Sequence, residues 1–195
     1  DNTGVEYYCT IFTAAESPIE AGLLWSGSDD GLIHVSRDQG KNWSNVTPSG
    51  IPQWMMWNTV EVDPHRPGAA YFVGTRYKLD DFTPYIYKTE DYGKSWTRID
   101  NGIDRMHFTR SIRADRTRKG LLYAGTEYGL YISFNDGKNW QPFQCNLPVS
   151  PITDLALKNN DLIVGTQGRS IYVLDDLAMV QQFADSIYRK SWHVF

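Results

Sequence analysis

Cysteine, histidine and methionine are all scarce in this chain of 195 residues, with two, four and four copies. Cys9 and Cys145 form no CxxC pair, and neither sits at ligand spacing from a histidine, so the pattern holds no zinc or dithiol redox site. Two buried free thiols are the default reading of this pair, and one long-range disulfide is the alternative. His34, His65, His107 and His193 show no spacing that would pair them on a metal or in a catalytic triad. No metal or other cofactor is therefore expected. Positive charge is short as well. A net charge of −4 leaves no basic excess for a phosphate backbone, so nucleic acid is not expected as a partner. No window approaches the ~18 consecutive apolar residues of a membrane helix. Residues 1–20 lack the charged-then-apolar order of a secretion signal. No glycine-rich phosphate loop stands apart from the turn glycines.

What the chain does have is 41% hydrophobic and 22% charged residues, enough for one sizeable core. Seven Trp and twelve Tyr tilt that core toward pleated sheets, where flat side chains pack well. The chain also repeats itself. Ser36-Arg-Asp-Gln-Gly-Lys-Asn-Trp43, Thr89-Glu-Asp-Tyr-Gly-Lys-Ser-Trp96 and Ser133-Phe-Asn-Asp-Gly-Lys-Asn-Trp140 share a hydroxyl, an Asx, a Gly, a Lys and a Trp at fixed offsets. Ahead of each box lies an apolar strand ending in Gly and a hydroxyl residue: Leu23–Ser28, Ala70–Thr75 and Leu121–Thr126. A fourth such strand, Asp161–Thr166, precedes an eroded box in which Val173, Leu177 and Val180 replace the Ser, Gly and Trp. Turn segments rich in Pro, Asp and Gly stand before the first three strands.

One unit thus reads as four short antiparallel strands; in the second unit these are Asn58–Asp63, Ala70–Thr75, Tyr85–Thr89 and Trp96–Ile99. A repeat of ~40–50 residues of this kind is a β-propeller blade. Within the box, Ser36, Asp38, Gly40 and Trp43 have structural work to do, as do Thr89, Asp91, Gly93 and Trp96, and Ser133, Asn135, Gly137 and Trp140. The Asx accepts backbone N–H bonds, Gly takes the left-handed conformation, and Trp returns to pack on its blade. The fold expected is all-β, a partial propeller ring over residues 1–177 with three complete blades (about 10–48, 58–100 and 108–143) and one degenerate blade (152–177). An exit segment follows at 178–195, where Met179, Val180, Phe183 and Ile187 fall at helical spacing.

These boxes resemble the Asp-box, or BNR-repeat, propellers, a group that includes sialidases, xyloglucanase-type glycoside hydrolases, photosystem assembly factors and sortilin/Vps10 receptors. The likeness is nearest to bacterial sortilin-like or glycosyl-hydrolase-like BNR-repeat proteins, and is carried by Gly27-Ser-Asp-Asp-Gly-Leu-Ile-His, Tyr87–Trp96 and Gly125-Thr-Glu-Tyr-Gly-Leu-Tyr-Ile-Ser-Phe. Three complete blades and one degenerate one are few for a closed ring of four to eight, so the chain is expected to be the C-terminal part of a larger ring or one piece of a ring completed by another chain. The resemblance implies a secreted or periplasmic setting. It does not select one activity, because the architecture hosts many.

Alternation along the strands puts the box turns on one side of the disc and the variable loops on the other, where function concentrates. There stand Asp29, Asp30, Trp54, Trp57, the insertion Arg76–Phe82, His107, Arg110, Tyr128 and Arg169. Trp54, Trp57, Arg76, Tyr77, His107, Arg110, Tyr128 and Arg169 are the candidate ligand-binding residues, although Trp54 and Trp57 equally suit a gap between blades. A glycosidase needs two opposed carboxylates, for which Asp80, Asp81 and Glu127 are the weak candidates. The Arg-Ile-Pro opening of a sialidase domain is absent, although Arg76, Arg110, Arg113 and Arg169 supply arginines. Asn42-Trp43-Ser44 and Asn45-Val46-Thr47 match the glycosylation acceptor pattern, the first reading more simply as part of the turn. The expectation is a non-catalytic module that recognises a protein or peptide or takes part in assembly, with the rest of its own propeller or another subunit among the partners that fit. A carbohydrate-active propeller, hydrolase or glycan binder, is the alternative.

Overall fold

Segments such as Ala70-Tyr-Phe-Val and Leu122-Tyr-Ala are too short and too aromatic to favour helix, and the turns that bracket them leave extension and pairing as the way to satisfy their backbones. The computed structural model describes residues 9–183. These form β1 (Ile11–Glu16), β2 (Leu24–Ser28), β3 (Ile33–Ser36) and β4 (Ser44–Asn45) in a first sheet. A second holds β5 (Met56–Val62), β6 (Ala70–Arg76), β7 (Asp81–Thr89) and β8 (Thr97–Arg98), and a third β9 (Thr109–Ala114), β10 (Leu122–Thr126), β11 (Gly129–Ser133) and β12 (Gln141–Pro142). The fourth has three strands, β13 (Ile152–Lys158), β14 (Asp161–Thr166) and β15 (Ile171–Leu174), followed by a short helix α1 (Ala178–Gln182). All pairs are antiparallel neighbours in sequence. Ile187, and with it Asp185, Arg189 and Lys190 of the exit segment, lie outside the described residues.

The sheets stand side by side as blades. Three hydrophobic clusters join first to second, second to third and third to fourth; among the described residues none joins fourth to first. The innermost strands are also bonded to one another: Val60 N–H donates to Thr13 Oγ1 (3.0 Å), Thr59 Oγ1 to the Arg110 carbonyl (3.0 Å) and Ala114 N–H to Glu61 Oε1 (3.1 Å).

Each box folds the same way. Ser36, Thr89 and Ser133 are each 1% exposed. Their hydroxyls accept the N–H of Gly40, Gly93 and Gly137 at 2.9 Å and donate to Asp38, Asp91 and Asn135 at 2.9, 2.9 and 3.1 Å. Those Asx side chains accept the N–H of Asn42, Ser95 and Asn139 at 2.8–2.9 Å. The box glycines sit at φ of 80–82°, where a Cβ is strained. Asn42 also donates its side-chain amide to Asp38 (2.6 Å), as a turn residue.

The tryptophans differ from the sequence expectation. Trp96 does return to its own box, donating to the Gly93 carbonyl (3.1 Å), but two of the three indoles also reach to the preceding blade. Trp96 Nε1 donates to the Val46 carbonyl (2.7 Å) and Trp140 Nε1 to that of Ile99 (2.5 Å), each acceptor lying just beyond the last strand of the blade before. Trp43, with no preceding blade among the described residues, donates to its own Gly40 carbonyl and is 44% exposed.

The register also corrects the strand alignment read from Gly-hydroxyl ends. Leu24, Ala70 and Leu122 stand opposite the box hydroxyls Ser36, Thr89 and Ser133. Gly74 therefore lies one residue later in its strand than Gly27 and Gly125, and Phe72 takes the place of Ser26 and Ala124. Its ring fills the first joint, edge-on to Trp25 (6.0 Å) and Trp96 (5.6 Å).

A second grip repeats on the box side, where a turn residue of one blade holds the box region of the next. Glu20 accepts from the Tyr92 hydroxyl (2.9 Å), and Arg66 binds Asp136 (2.7 Å) while also holding Asp63 (2.5 Å). Arg118 donates to carbonyls closing α1, including that of Gln181 (3.0 Å). Burial raises the Asp136 carboxyl, but the bonds from Arg66, Tyr71 and Lys88 outweigh it and hold the group at about 2.

Two measurements test this joint chemistry. Trp96→Ala and Trp140→Ala should each lower stability in urea by ~3–5 kcal/mol, whereas Trp43→Ala should cost about 1 kcal/mol or less; equal costs would mean the indole serves its own blade. In a pH scan of stability, Asp38, held at about 2 by its Asn42 bonds, contributes fully above its ordinary 3.8 and loses that contribution as pH falls through 2. Glu61, which burial raises to about 7 against the pull of Arg113, acts in the opposite sense. Its penalty grows as pH climbs from 4.5 to 7, because only the unfolded chain ionises there. Asp38→Asn should flatten the acid limb and Glu61→Gln the limb between pH 4.5 and 7.

Candidate functional site

The loop side is organised in three of the blades by a bond from the 2→3 loop to the start of the same blade: Asp29 N–H to the Thr10 carbonyl, Glu127 N–H to that of Phe108 and Gln167 N–H to that of Pro151. On this frame the second blade's insertion is not a loose loop. β6 and β7 extend through it and pair Arg76 with Asp81 around a 3-10 turn at Tyr77–Leu79, with Asp80 left-handed at φ 56°. Arg76 and Asp81 are 2.6 Å apart, and Asp81 also accepts from the Tyr85 hydroxyl (2.8 Å) and Thr83 N–H (3.1 Å). Burial opposes ionisation of Asp81, but these donors prevail and lower its pKa. These bonds lock the hairpin.

Tyr77 stacks on Phe108 of the third blade (5.1 Å, 16°), and Phe82 leans on the same ring (6.1 Å). Arg110 lies over Phe108 (5.0 Å) and Tyr77 (5.7 Å) while holding Glu127 at 2.6 Å. His107 stacks on Tyr128 (4.6 Å), with its Nδ1 2.8 Å from the Tyr131 hydroxyl. The structure thus brings Arg76, Tyr77, Arg110, Glu127, His107 and Tyr128 onto one surface spanning the second and third blades. Arg169 is exposed on the fourth blade, and Arg113 binds Asp154 (2.9 Å) on the innermost strands, so four arginines do not converge as a sialidase triad requires.

Trp54 and Trp57 part company. Trp57 is fully buried and donates to the Gly31 carbonyl (2.8 Å); it fills the first joint and cannot meet a ligand. Trp54 is 52% exposed at φ 60°. It borders, with Met56, Tyr77 and Leu79, a cleft of about 50 Å³. That is far below the ~300 Å³ of a typical small-molecule pocket. A broader polar depression of about 560 Å³ is bounded by Arg98, Asp100 and Arg105, and there too the acid is taken, with Arg98 2.6 Å from Asp100. Of the three candidate acids, Asp80 alone is left without an ion-pair partner among the described residues. No group of three or more His, Cys, Asp or Glu side chains among the described residues is placed to hold a metal ion.

Sequence reading did not single out Met56 or the Arg98–Asp100 pair. Alternation with buried Met55 marks Met56 as outward-facing, whereas the Arg98–Asp100 pairing has no periodic signal. The thiols are free as expected but exposed rather than buried, because both lie at left-handed positions outside the strands, Cys9 at φ 66° and Cys145 at φ 46°.

No protein-family profile matches the chain. A stretch of 109 residues is 26% identical to the oligoxyloglucan-reducing end-specific xyloglucanase of Emericella nidulans, covering 54% of this chain and 13% of that enzyme. Among solved structures, YCF48 bound to D1 peptide superposes with a TM-score of 0.64 at 22% identity, over 86% of this chain and 52% of YCF48. The GH74 xyloglucanase of Xanthomonas campestris gives 0.68 at 18% identity, over 87% of this chain and 29% of the enzyme. The fold is a β-propeller, and the chain spans about half or less of each of these proteins.

Both thiols should react with Ellman's reagent in the native protein, two per chain. Cys9 should be the slower below pH 9, because its bond to the Asp30 carboxylate raises its pKa. Fewer than two reactive thiols before denaturation would contradict the exposure seen.

Proposed function

We propose that the chain is a non-catalytic propeller segment that recognises a protein or peptide through the loop side of its second and third blades. The observation carrying this reading is the state of the acids there. Asp81 is held by Arg76 and Glu127 by Arg110, so two of the three candidate carboxylates serve as counter-ions rather than as an acid–base pair flanking a scissile bond. The surface that remains is shallow, aromatic and arginine-rich, the composition of protein-recognition patches. The structural likeness to YCF48 bound to D1 peptide supports it as an example of this fold with a peptide ligand. A setting outside the cytoplasm rests on the Asp-box resemblance alone.

A carbohydrate-active role is the second reading, favoured by the sequence match to a xyloglucanase and by the exposed rings of Trp54 and Tyr128. Incubating the chain with xyloglucan and β-glucans and measuring reducing ends separates the two. No turnover is expected. Turnover abolished by Asp80→Asn or Glu127→Gln would replace the recognition reading with a hydrolytic one.

A further inference from the structure

The third joint lacks what the first two have. Trp96 and Trp140 donate to the carbonyls of Val46 and Ile99, residues whose own N–H groups bond to Ile33 and Ile86. Phe143 stands at the same place in the third blade, its N–H bonded to the Leu130 carbonyl at 2.8 Å. Among the described residues no group donates to the Phe143 carbonyl. The fourth blade also stops at three strands, with β15 at its edge. Counted from Gly125 and Gly165, which face Leu130 and Ile171, Val173 is the equivalent of Ile132. Ile132 pairs with Gln141 of an outer strand, and Val173 has no such partner among the described residues.

The space left there repeats the surroundings of an indole. At the second joint Trp140 clusters with Ile86, Ile99 and Ile103 on one side and Leu122, Ala124 and Tyr131 on the other. At the third joint the same positions one blade on, Leu130, Phe143 and Leu147 against Leu162, Val164 and Tyr172, line an apolar groove. It is open-sided and holds about 100 Å³, so it seats a ring along one face, as the half-buried Trp96 is seated at the first joint. The sequence carries a segment with that ring. Lys190-Ser-Trp-His-Val-Phe195, outside the described residues, repeats Lys41-Asn-Trp-Ser-Asn-Val46, Lys94-Ser-Trp-Thr-Arg-Ile99 and Lys138-Asn-Trp-Gln-Pro-Phe143. Each reads lysine, a small polar residue, tryptophan, two strand residues and an apolar residue. The tryptophan half of the fourth box is therefore displaced along the chain rather than lost. α1 leads toward it: Val180 packs on the third cluster, and Phe183 stacks on Phe134 of the third box (5.8 Å). Residues 184–190 can bridge about 23 Å, more than the ~15 Å across four paired strands.

We propose that residues 190–195 are the outer strand of the fourth blade, antiparallel to β15, with Trp192 seated in this groove and its Nε1 donating to the Phe143 carbonyl. The third joint then carries the same indole bond as the first two. β15 ceases to be an open edge on which a foreign strand could pair.

Amide hydrogen exchange on the full chain, read by NMR, tests the strand. The Val173 N–H, which by its register faces away from β14, should exchange at least tenfold more slowly in the native chain than in Trp192→Ala. Equal exchange in the two would overturn the proposal. Trp192→Phe keeps a ring and loses only the N–H, and covers the case in which alanine unfolds the chain; it should speed Val173 exchange about threefold or more, and no change would count against the indole bond. Trp192→Ala should also lower the thermal midpoint by a few degrees, as Trp140→Ala does, whereas an unchanged midpoint would mean that Trp192 packs on nothing. Cys145 lines the groove, so its reaction with Ellman's reagent should quicken severalfold in Trp192→Ala while that of Cys9 holds; an unchanged rate would place the segment elsewhere and overturn the proposal. Val173 protection that fades on dilution, with a dimer in light scattering, would mean that a second copy supplies the strand, and would overturn its assignment to the same chain.

Discussion

The structure depends on one hydrogen bond repeated at its first two joints: the indole N–H of a box tryptophan donated to a main-chain carbonyl of the blade before it. A buried carbonyl just past a strand end has no ladder partner, and leaving it unmet costs ~1–3 kcal/mol. The indole meets it at Val46 and Ile99 and brings a large apolar surface into the same gap. The box hydroxyl and Asx hold the turn that aims the indole. The apolar clusters form around these contacts, the first of them including Trp25, Trp57 and Phe72.

Much of this was legible in the residues. Fixed offsets among a hydroxyl, an Asx, a glycine and a tryptophan describe a turn whose bonds are local, and local bonds leave a local pattern. The sorting of loops to one side followed from strand alternation. What could not be read was direction across a gap between blades. Nothing in the order Trp54-Met-Met-Trp57 says which indole turns inward, because that depends on a chain reversal at a left-handed residue that is not glycine. The second blade's register was hidden for a related reason: an extra residue before Gly74 shifts it, and pairing with Thr89, not the glycine, sets the alignment. The arginine–carboxylate pairs link residues from 2 to 70 positions apart, so no single period marks them.

The loop side shows how the same rigidity serves recognition. Arg76 and Arg110 are not free to clamp a substrate, since each is held by an acid, and this fixes the aromatic groups between the second and third blades. A surface whose charges are internally balanced discriminates by shape and apolar contact more than by long-range attraction. It also explains how candidate acids can sit beside aromatic rings without forming a hydrolytic pair.

The joints are also asymmetric. At the first two joints one blade supplies the carbonyl and the next the indole, so the contact is heterologous and has a sense of travel. A unit copied in tandem within the gene would arrive with both halves of the joint already in place, and a unit inverted would arrive with neither. Such arrays can lengthen or shorten by whole units in one orientation, and the number of units in a descendant is then free to drift while the indole seams keep their form.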